Sequence, residues 1–364
     1  MTKFDFLIVG AGFAGCVSAR ELAELGYKVF IVDKRDHIGG NAYDYFDEFG
    51  NLIHKYGPHI FHTNSEKIFT YLSRFTEWRY YSHLVKVLDK KQLYPFPINR
   101  LTLNQFFKIS LQESEINDFM QSKIINIDRV KTSEDYLFSV IGKELTDMFF
   151  RGYTKKQWSL DLSELDKSVA ARIPFRSNDD SRYFNDRYQY MPKKGYTVLF
   201  KNILDHPNIN QELEFNFNDQ VKSLAKKIIY TGPIDAYFNY IYGKLPYRSL
   251  RFEHNIVNSS NYQCVGTINF PNEEVYTRIT EFNHLTGIKT KNTAIVKEYP
   301  EAHGDPYYPI PNESNKFLYQ KYFELAKKES NTFFIGRLAE YKYFNMDQVV
   351  ASALAFVKRG FQAK

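Results

Sequence analysis

An α/β fold, with one parallel-sheet domain interrupted by a helical and by an antiparallel-sheet insertion, is predicted by three features of this sequence. A strand, a glycine-rich turn, a helix and a second strand follow one another within residues 4–33. A glycine-poor stretch, 101–150, then places apolar residues at helical spacing. A buried strand and a closing helix, from Thr332 onward, return to the character of the opening unit.

The opening unit is the most informative. Phe4 to Val9 is an apolar run long enough for one buried parallel strand. Gly10, Gly12 and Gly15 form G-x-G-x-x-G. The first permits a tight turn, the second lets backbone approach a pyrophosphate, and the third lets the helix pack on the strand. The helix is expected from about Ala14 to Leu25, with Gly26 as its stop, and its N-terminus offers free N–H groups to phosphate. Lys28 to Val32 reads as the second strand. Asp33 ends it, 23 positions after Gly10, where a carboxylate can accept from ribose hydroxyls. Strand, glycines, helix, strand and acid stand in the order of a Rossmann-like dinucleotide site. Gly39-Gly40, just beyond the acid, suits a long dinucleotide running through the protein and favours FAD over NAD.

The chain then changes character several times. Tyr43 to Asn51 reads as a strand pair, and a helix is expected over Ser65 to Phe75. His59 and His62 are three apart, but no further ligand stands at a metal-binding spacing. Gly57-Pro58 before them indicates a loop, either facing the cofactor ring or purely structural. Val85–Leu88 and Leu93–Pro97 form a hairpin, and at least three helices fill 101–150. Tyr183 to Gly195 is aromatic and polar, Tyr196 to Leu204 is a helix, and Lys227 to Thr231 is a strand returning to the nucleotide sheet. Strands are expected at Gln263–Phe270, Val275–Thr280 and Thr293–Glu298. A helix over Lys316–Lys328, a strand from Thr332 to Arg337 and a helix over Met346–Arg359, capped near Asn345, complete the chain. The FAD domain is therefore expected from 1–77, 193–235 and 312–364. A helical domain would span 100–170, and an antiparallel-sheet domain 78–99, 171–192 and 236–311.

Composition sets the outer bounds. The 364 residues allow a large core and more than one domain. A net charge of +6, from 48 basic and 42 acidic residues, suits an anionic substrate and is too weak and dispersed for nucleic acid. Two cysteines make no disulfide framework, so a reducing, cytoplasmic setting is expected. Neither a signal peptide nor a membrane span is visible. The 28 tyrosines exceed what a core needs and suit rings, sugars and phosphates.

Several longer stretches carry a resemblance. Gly10–Gly15, His37-Ile-Gly-Gly-Asn-Ala42, Lys55–Thr63, Gly152-Tyr-Thr-Lys-Lys-Gln-Trp158, Arg172-Ile-Pro, Tyr183–Gln189, Tyr276-Thr-Arg-Ile279, Pro306-Tyr-Tyr-Pro309 and Gly336–Tyr343 resemble the UDP-galactopyranose mutase family nearly end to end. The resemblance implies bound FAD, a homodimer and interconversion of UDP-galactopyranose and UDP-galactofuranose without net redox change. In the implied mechanism N5 of the reduced flavin attacks sugar C1, UDP leaves, and the ring reopens through an iminium and closes as the furanose. The C2 N-acetyl sugar is a further candidate substrate.

Residue roles follow from the matching motifs. Arg172 and Arg278 match arginines that neutralise the diphosphate. Tyr153, Thr154, Tyr183, Tyr308 and Tyr343 match its lining, Trp158 the mobile substrate loop, and Phe149 and Asn269 the uridine side. His59 and Ile60 match the loop against the flavin ring. Gly10, Gly12, Phe13, Gly15, Asp33, Lys34, Gly40, Asn41, Arg337, Met346, Asp347 and Val349 match cofactor contacts, and no metal is implied. Asn345 stands where the family pattern has Asp, and 270–275 is one residue short, which bears on Asn269. An FAD-dependent oxidoreductase of the amine-oxidase-like group could share the N-terminal unit, and would consume an electron acceptor. A flavin-binding sensor would hold flavin without turning over a sugar nucleotide.

Overall fold

The computed structural model describes residues 3–310 and 312–363. The expected domain limits at 1, 311 and 364 lie outside these residues. Five parallel strands form the nucleotide-type sheet, in the order Ile209–Glu212, Val29–Val32, Phe4–Val9, Ala225–Tyr230, Thr332–Phe334. Alternate residues of its central strands feed two separate cores. Phe6, Ile8, Val29, Ile31 and Ile229 pack under the helices Phe13–Glu24, Tyr196–Leu204 and Met346–Gly360. Phe4, Leu7, Phe30, Val32 and Ile228 pack on the other side against Phe215 and Phe217. Burial on both faces is why these strands read as continuous apolar runs.

A seven-stranded sheet forms a second layer. Its order is Tyr308–Pro309, Tyr247–Val257, Thr293–Glu301, Arg278–Glu281, Thr267–Asn269, Val85–Asp89, Gln92–Phe96. All its pairings are antiparallel except that of Thr267–Asn269 with Val85–Asp89. A three-stranded sheet joins Phe61–Thr63 and Trp78–Tyr80 to Tyr188–Pro192. The helices Arg100–Phe107, Ile116–Gln121 and Ser133–Thr146 bury Leu103, Ile116, Met120, Leu137, Ile141 and Leu145 against the hairpin residues Val85, Val87 and Phe96. Thr132 caps the last of these, its hydroxyl accepting from the Asp135 N–H at 3.1 Å. That helix breaks at Gly142, where φ is +77° and a Cβ would lie 2.2 Å from the Lys123 carbonyl oxygen.

Several elements differ from the sequence expectation. The strand pair expected over Tyr43–Asn51 is Asp44–Phe46 with Leu52–His54. The Asp47 carboxylate accepts from the N–H groups of Phe49 (2.9 Å) and Asn51 (2.8 Å), so residues 47–51 form the turn rather than the second strand. The strand expected from Thr332 to Arg337 stops at Phe334, because Gly336 turns the chain with φ +92°. The strands expected at Gln263–Phe270 and Val275–Thr280 shorten or shift to Thr267–Asn269 and Arg278–Glu281. Ile209–Glu212 and Tyr188–Pro192 were not expected as strands: the first is a polar edge, and the second has no clean alternation. Among the described residues no helix is long and apolar enough to cross a membrane.

Candidate active site

The two large sheets and the helical segment enclose one cavity of about 1900 Å³. Its floor is the glycine turn. Gly10 has φ +104°, and a Cβ there would lie 2.1 Å from Thr231 Oγ1. Gly12 precedes the helix Phe13–Glu24, whose N-terminus has no side-chain cap and no acidic residue in its first turn. Phe13 lines the cavity at that N-terminus, so its positive dipole end faces open space. Asp33 Oδ2 accepts from the Ala11 N–H at 2.7 Å, and Oδ1 from the Arg35 N–H at 2.9 Å. The carboxylate thus ties the glycine turn to the end of the second strand and, lining the cavity, keeps lone pairs for a ligand hydroxyl.

Lys34, Gly40 and Asn41 continue this wall. Gly40 approaches Gly12 so closely that a Cβ would sit 3.1 Å from the Gly12 Cα. Lys34 reaches Asp305 at 3.9 Å, and Asn41 Oδ1 accepts from Arg35 at 3.0 Å. Arg337, which donates to the Tyr307 carbonyl, lines the cavity with Met346 and Val349. These residues fit an extended dinucleotide: close backbone, a helix N-terminus for phosphate and an acid for ribose.

Two expected cofactor contacts do not face the cavity. Asp347 turns away, and its Oδ2 accepts from the Thr63 hydroxyl at 2.8 Å. The backbone explains it: the carboxylate in the first helical turn is drawn to the end of the neighbouring strand Phe61–Thr63. Gly15 lies in the first turn of the helix Phe13–Glu24, where a Cβ would be 1.9 Å from the Gly10 carbonyl oxygen, so its role is packing rather than contact.

The other end of the cavity is cationic and aromatic. Arg278 donates to Glu298 through Nε (2.7 Å) and Nη2 (2.8 Å), a bidentate fork. Burial disfavours its charge, but Glu298 together with Tyr153 and Tyr308 outweighs burial, and the Arg278 pKa is raised. Glu298 is 1% exposed, whereas Arg278 keeps a quarter of its side chain open toward the cavity. Asn269 stands directly opposite Arg278 in the antiparallel pair. The Arg172 guanidinium lies 4.7 Å over the Tyr343 ring. Tyr343 stacks on Tyr308 at 5.5 Å, and Trp158 lies 6.1 Å from Tyr308. Burial would raise the Tyr343 phenol, yet Arg172, with Arg337 and Arg278, lowers its pKa. Tyr183 and Tyr153 face the same space with phenols raised by burial, Tyr153 to about 12. Thr154 is buried on the helix Gly152–Trp158, and Phe149 stacks on Phe96 at 6.3 Å.

His59 and Ile60 also line the cavity. His59 Nδ1 donates to the Gly57 carbonyl at 2.9 Å, and burial pushes its pKa to about 3, so the ring is neutral. His62 instead faces Asp186 at 2.8 Å and stacks on Phe184 at 3.7 Å. Among the described residues no group of three or more His, Cys, Asp or Glu is placed to hold a metal. Asn345 lines the cavity, and its backbone N–H donates to Gln348 Oε1 at 2.9 Å.

Three site residues escaped the sequence reading. Glu298 fixes Arg278, and only the strand register places it opposite. Arg248, 4% exposed, donates through Nε to the Gln157 carbonyl at 2.8 Å and so holds the segment carrying Trp158. His83 lines the cavity, hydrogen-bonded to the Tyr81 hydroxyl at 2.9 Å. No local signal marks any of the three. Glu298→Gln removes the charge from both bonds to Arg278 and is expected to cost about 2 kcal/mol of stability. Urea unfolding reads this directly; an unchanged midpoint would mean that the fork contributes no net stability.

Residues 148–343 match the UDP-galactopyranose mutase family, and residues 8–75 match the NAD(P)-binding Rossmann-like domain. The chain is 42% identical over 361 residues to a Klebsiella pneumoniae protein described as a probable UDP-galactopyranose mutase, covering 97% of this chain and 94% of that one. It is 38% identical over 361 residues to the dTDP-fucopyranose mutase of Escherichia coli, covering 96% of each. The crystal structure of a reduced UDP-galactopyranose mutase superposes with a TM-score of 0.77 at 17% identity, covering 99% of this chain and 97% of that one. That last likeness is one of fold.

Proposed function

The chain belongs to the UDP-galactopyranose mutase family, and on that premise we propose that it interconverts UDP-galactopyranose and UDP-galactofuranose, using FAD in its reduced state. The observation that carries the reading is that Arg172 and Arg278 open onto the same cavity as the Gly10–Gly12 turn. One cavity can therefore hold a dinucleotide at one end and a nucleotide-sugar diphosphate at the other. Bound there, a reduced flavin supplies a nucleophilic nitrogen for the anomeric carbon of the sugar.

The chain's own residues hold and release the diphosphate. UDP gains charge as it leaves the sugar, so guanidinium groups already fixed in place stabilise departure without reorganising. Glu298 fixes Arg278 in one orientation, leaving the rest of its fork for phosphate oxygens. Tyr343, with its phenol polarised by Arg172, and Tyr308 donate hydroxyl protons along the same path. Phe149 and Asn269 offer a face and an amide to the base. His59, neutral, keeps Nε2 as an acceptor toward the cavity because Nδ1–H is committed to Gly57.

Conversion of UDP-galactofuranose is measured with and without dithionite. Turnover confined to the reduced enzyme, with no net consumption of electrons, is expected. Equal turnover by the oxidised enzyme would overturn the reading, and stoichiometric use of an electron acceptor would favour the oxidoreductase. The 38% identity to a dTDP-fucopyranose mutase supports a second substrate reading. dTDP-fucopyranose and the N-acetylated UDP sugar therefore belong in the same assay.

A further inference from the structure

Beneath the loop that carries His59 lie a buried and a half-buried histidine with complementary unmet hydrogen bonds. His54 ends the strand Leu52–His54 and is wholly buried. Its Nδ1 accepts from the His59 backbone N–H at 3.1 Å. A backbone N–H can only donate, so Nδ1 bears the lone pair and a neutral ring carries its proton on Nε2. That Nε2 is buried and has no partner. His254 comes from the strand Tyr247–Val257, and its Nε2 faces the Lys55 carbonyl at 3.1 Å. A carbonyl can only accept, so His254 carries its proton on Nε2 and leaves the lone pair on Nδ1. That Nδ1 is likewise buried and without a partner.

The orphans are thus one donor and one acceptor. Both rings flank Phe282, with centroids 5.6 and 6.1 Å from it. Leaving either atom unmet in the interior would cost about 1–3 kcal/mol, and one water that accepts from the first and donates to the second removes both penalties. Burial keeps both rings neutral: it pushes His54 to about 3 and lowers His254.

We propose that His54 Nε2–H and His254 Nδ1 are joined through one buried water, in a couple that locks the 55–59 loop onto the antiparallel sheet. The couple grips the loop at the Lys55 carbonyl and at the His59 N–H. Between those points Gly57 packs so closely that a Cβ would lie 2.7 Å from the Phe252 ring and 3.3 Å from Glu298 Oε1. Phe252 and Glu298 are direct partners across the sheet, and Glu298 is the residue that holds Arg278. The couple therefore sets His59 relative to Arg278, and His54 and His254 are positioning residues. Only the activity arm of its test rests on the proposed mutase function.

The full-length holoprotein labelled with ¹⁵N-histidine reports the tautomers. Both rings are expected as Nε2–H, with the His54 proton protected from exchange. An Nδ1–H tautomer at His254, or a His54 proton exchanging as fast as an exposed one, would overturn the couple. In the activity arm, His254→Leu is expected to lower kcat about 10-fold with KM within twofold, as small misplacements of reacting groups do. His254→Gln, which restores a donor and an acceptor, is expected to recover most of that loss; equal rates in the two variants would count against positioning. If His254→Leu does not fold, the exchange of the His54 Nε2 proton in the unaltered protein still decides. A protected His54 proton in a protein that turns over no sugar nucleotide would sink the mutase reading and leave the couple standing.

Discussion

Arg278→Ala is expected to lower kcat/KM by about 10³, the loss typical of removing one preorganised charge donor from a developing anion. Flavin content should be unchanged, because Arg278 is held by Glu298 on the seven-stranded sheet, whereas the glycine turn belongs to the five-stranded sheet. The alanine variant also leaves Glu298, 1% exposed, without its counterion, which adds a stability cost of about 3–5 kcal/mol. Arg278→Lys separates the two effects. It keeps a positive charge beside Glu298 but loses the planar fork, so most of the stability should return while turnover stays about 10²-fold down. Steady-state kinetics and urea unfolding on both variants read this split. Substantial turnover by the alanine variant would remove Arg278 from the phosphate site.

Gly15→Ala is expected to yield protein almost free of flavin. The added Cβ would sit 1.9 Å from the Gly10 carbonyl oxygen and 3.2 Å from Ile8 Cγ2. The nearest atom is backbone and cannot swing aside. Either the helix Phe13–Glu24 moves off the strand or the Gly10 turn opens, and both displace the N–H groups that would face the pyrophosphate. Overpacking of this kind costs about 1–3 kcal/mol before any loss of ligand stabilisation is counted. Flavin absorbance per chain, with circular dichroism to confirm the fold, tests it. A stoichiometric flavin content would show that the helix can shift without harm to the site.

These two positions differ in how legible they were. Gly15 announced itself through its spacing from Gly10 and Gly12, and the structure places it against the Gly10 carbonyl as that spacing requires. Arg278 could be named by resemblance, but nothing near it in sequence named Glu298. Asp347 shows the reverse failure: an acid at a helix N-terminus, expected at the cofactor, is taken instead by the Thr63 hydroxyl. The strand Ile209–Glu212 was invisible because an exposed edge needs no apolar alternation, although it completes the sheet beside Val29–Val32.

By itself, then, the sequence determined the local devices: the glycine turn, the helices Tyr196–Leu204 and Met346–Gly360, and the hairpin around Asp89. Periodicity, caps and positive-φ glycines act over a few residues and so travel with the chain. Only the tertiary structure decided which residues stand opposite one another, Glu298 and Asn269 on either side of Arg278. Those pairings depend on the register of strands far apart in sequence, and a one-residue slip in any of them would turn the partner to the opposite face.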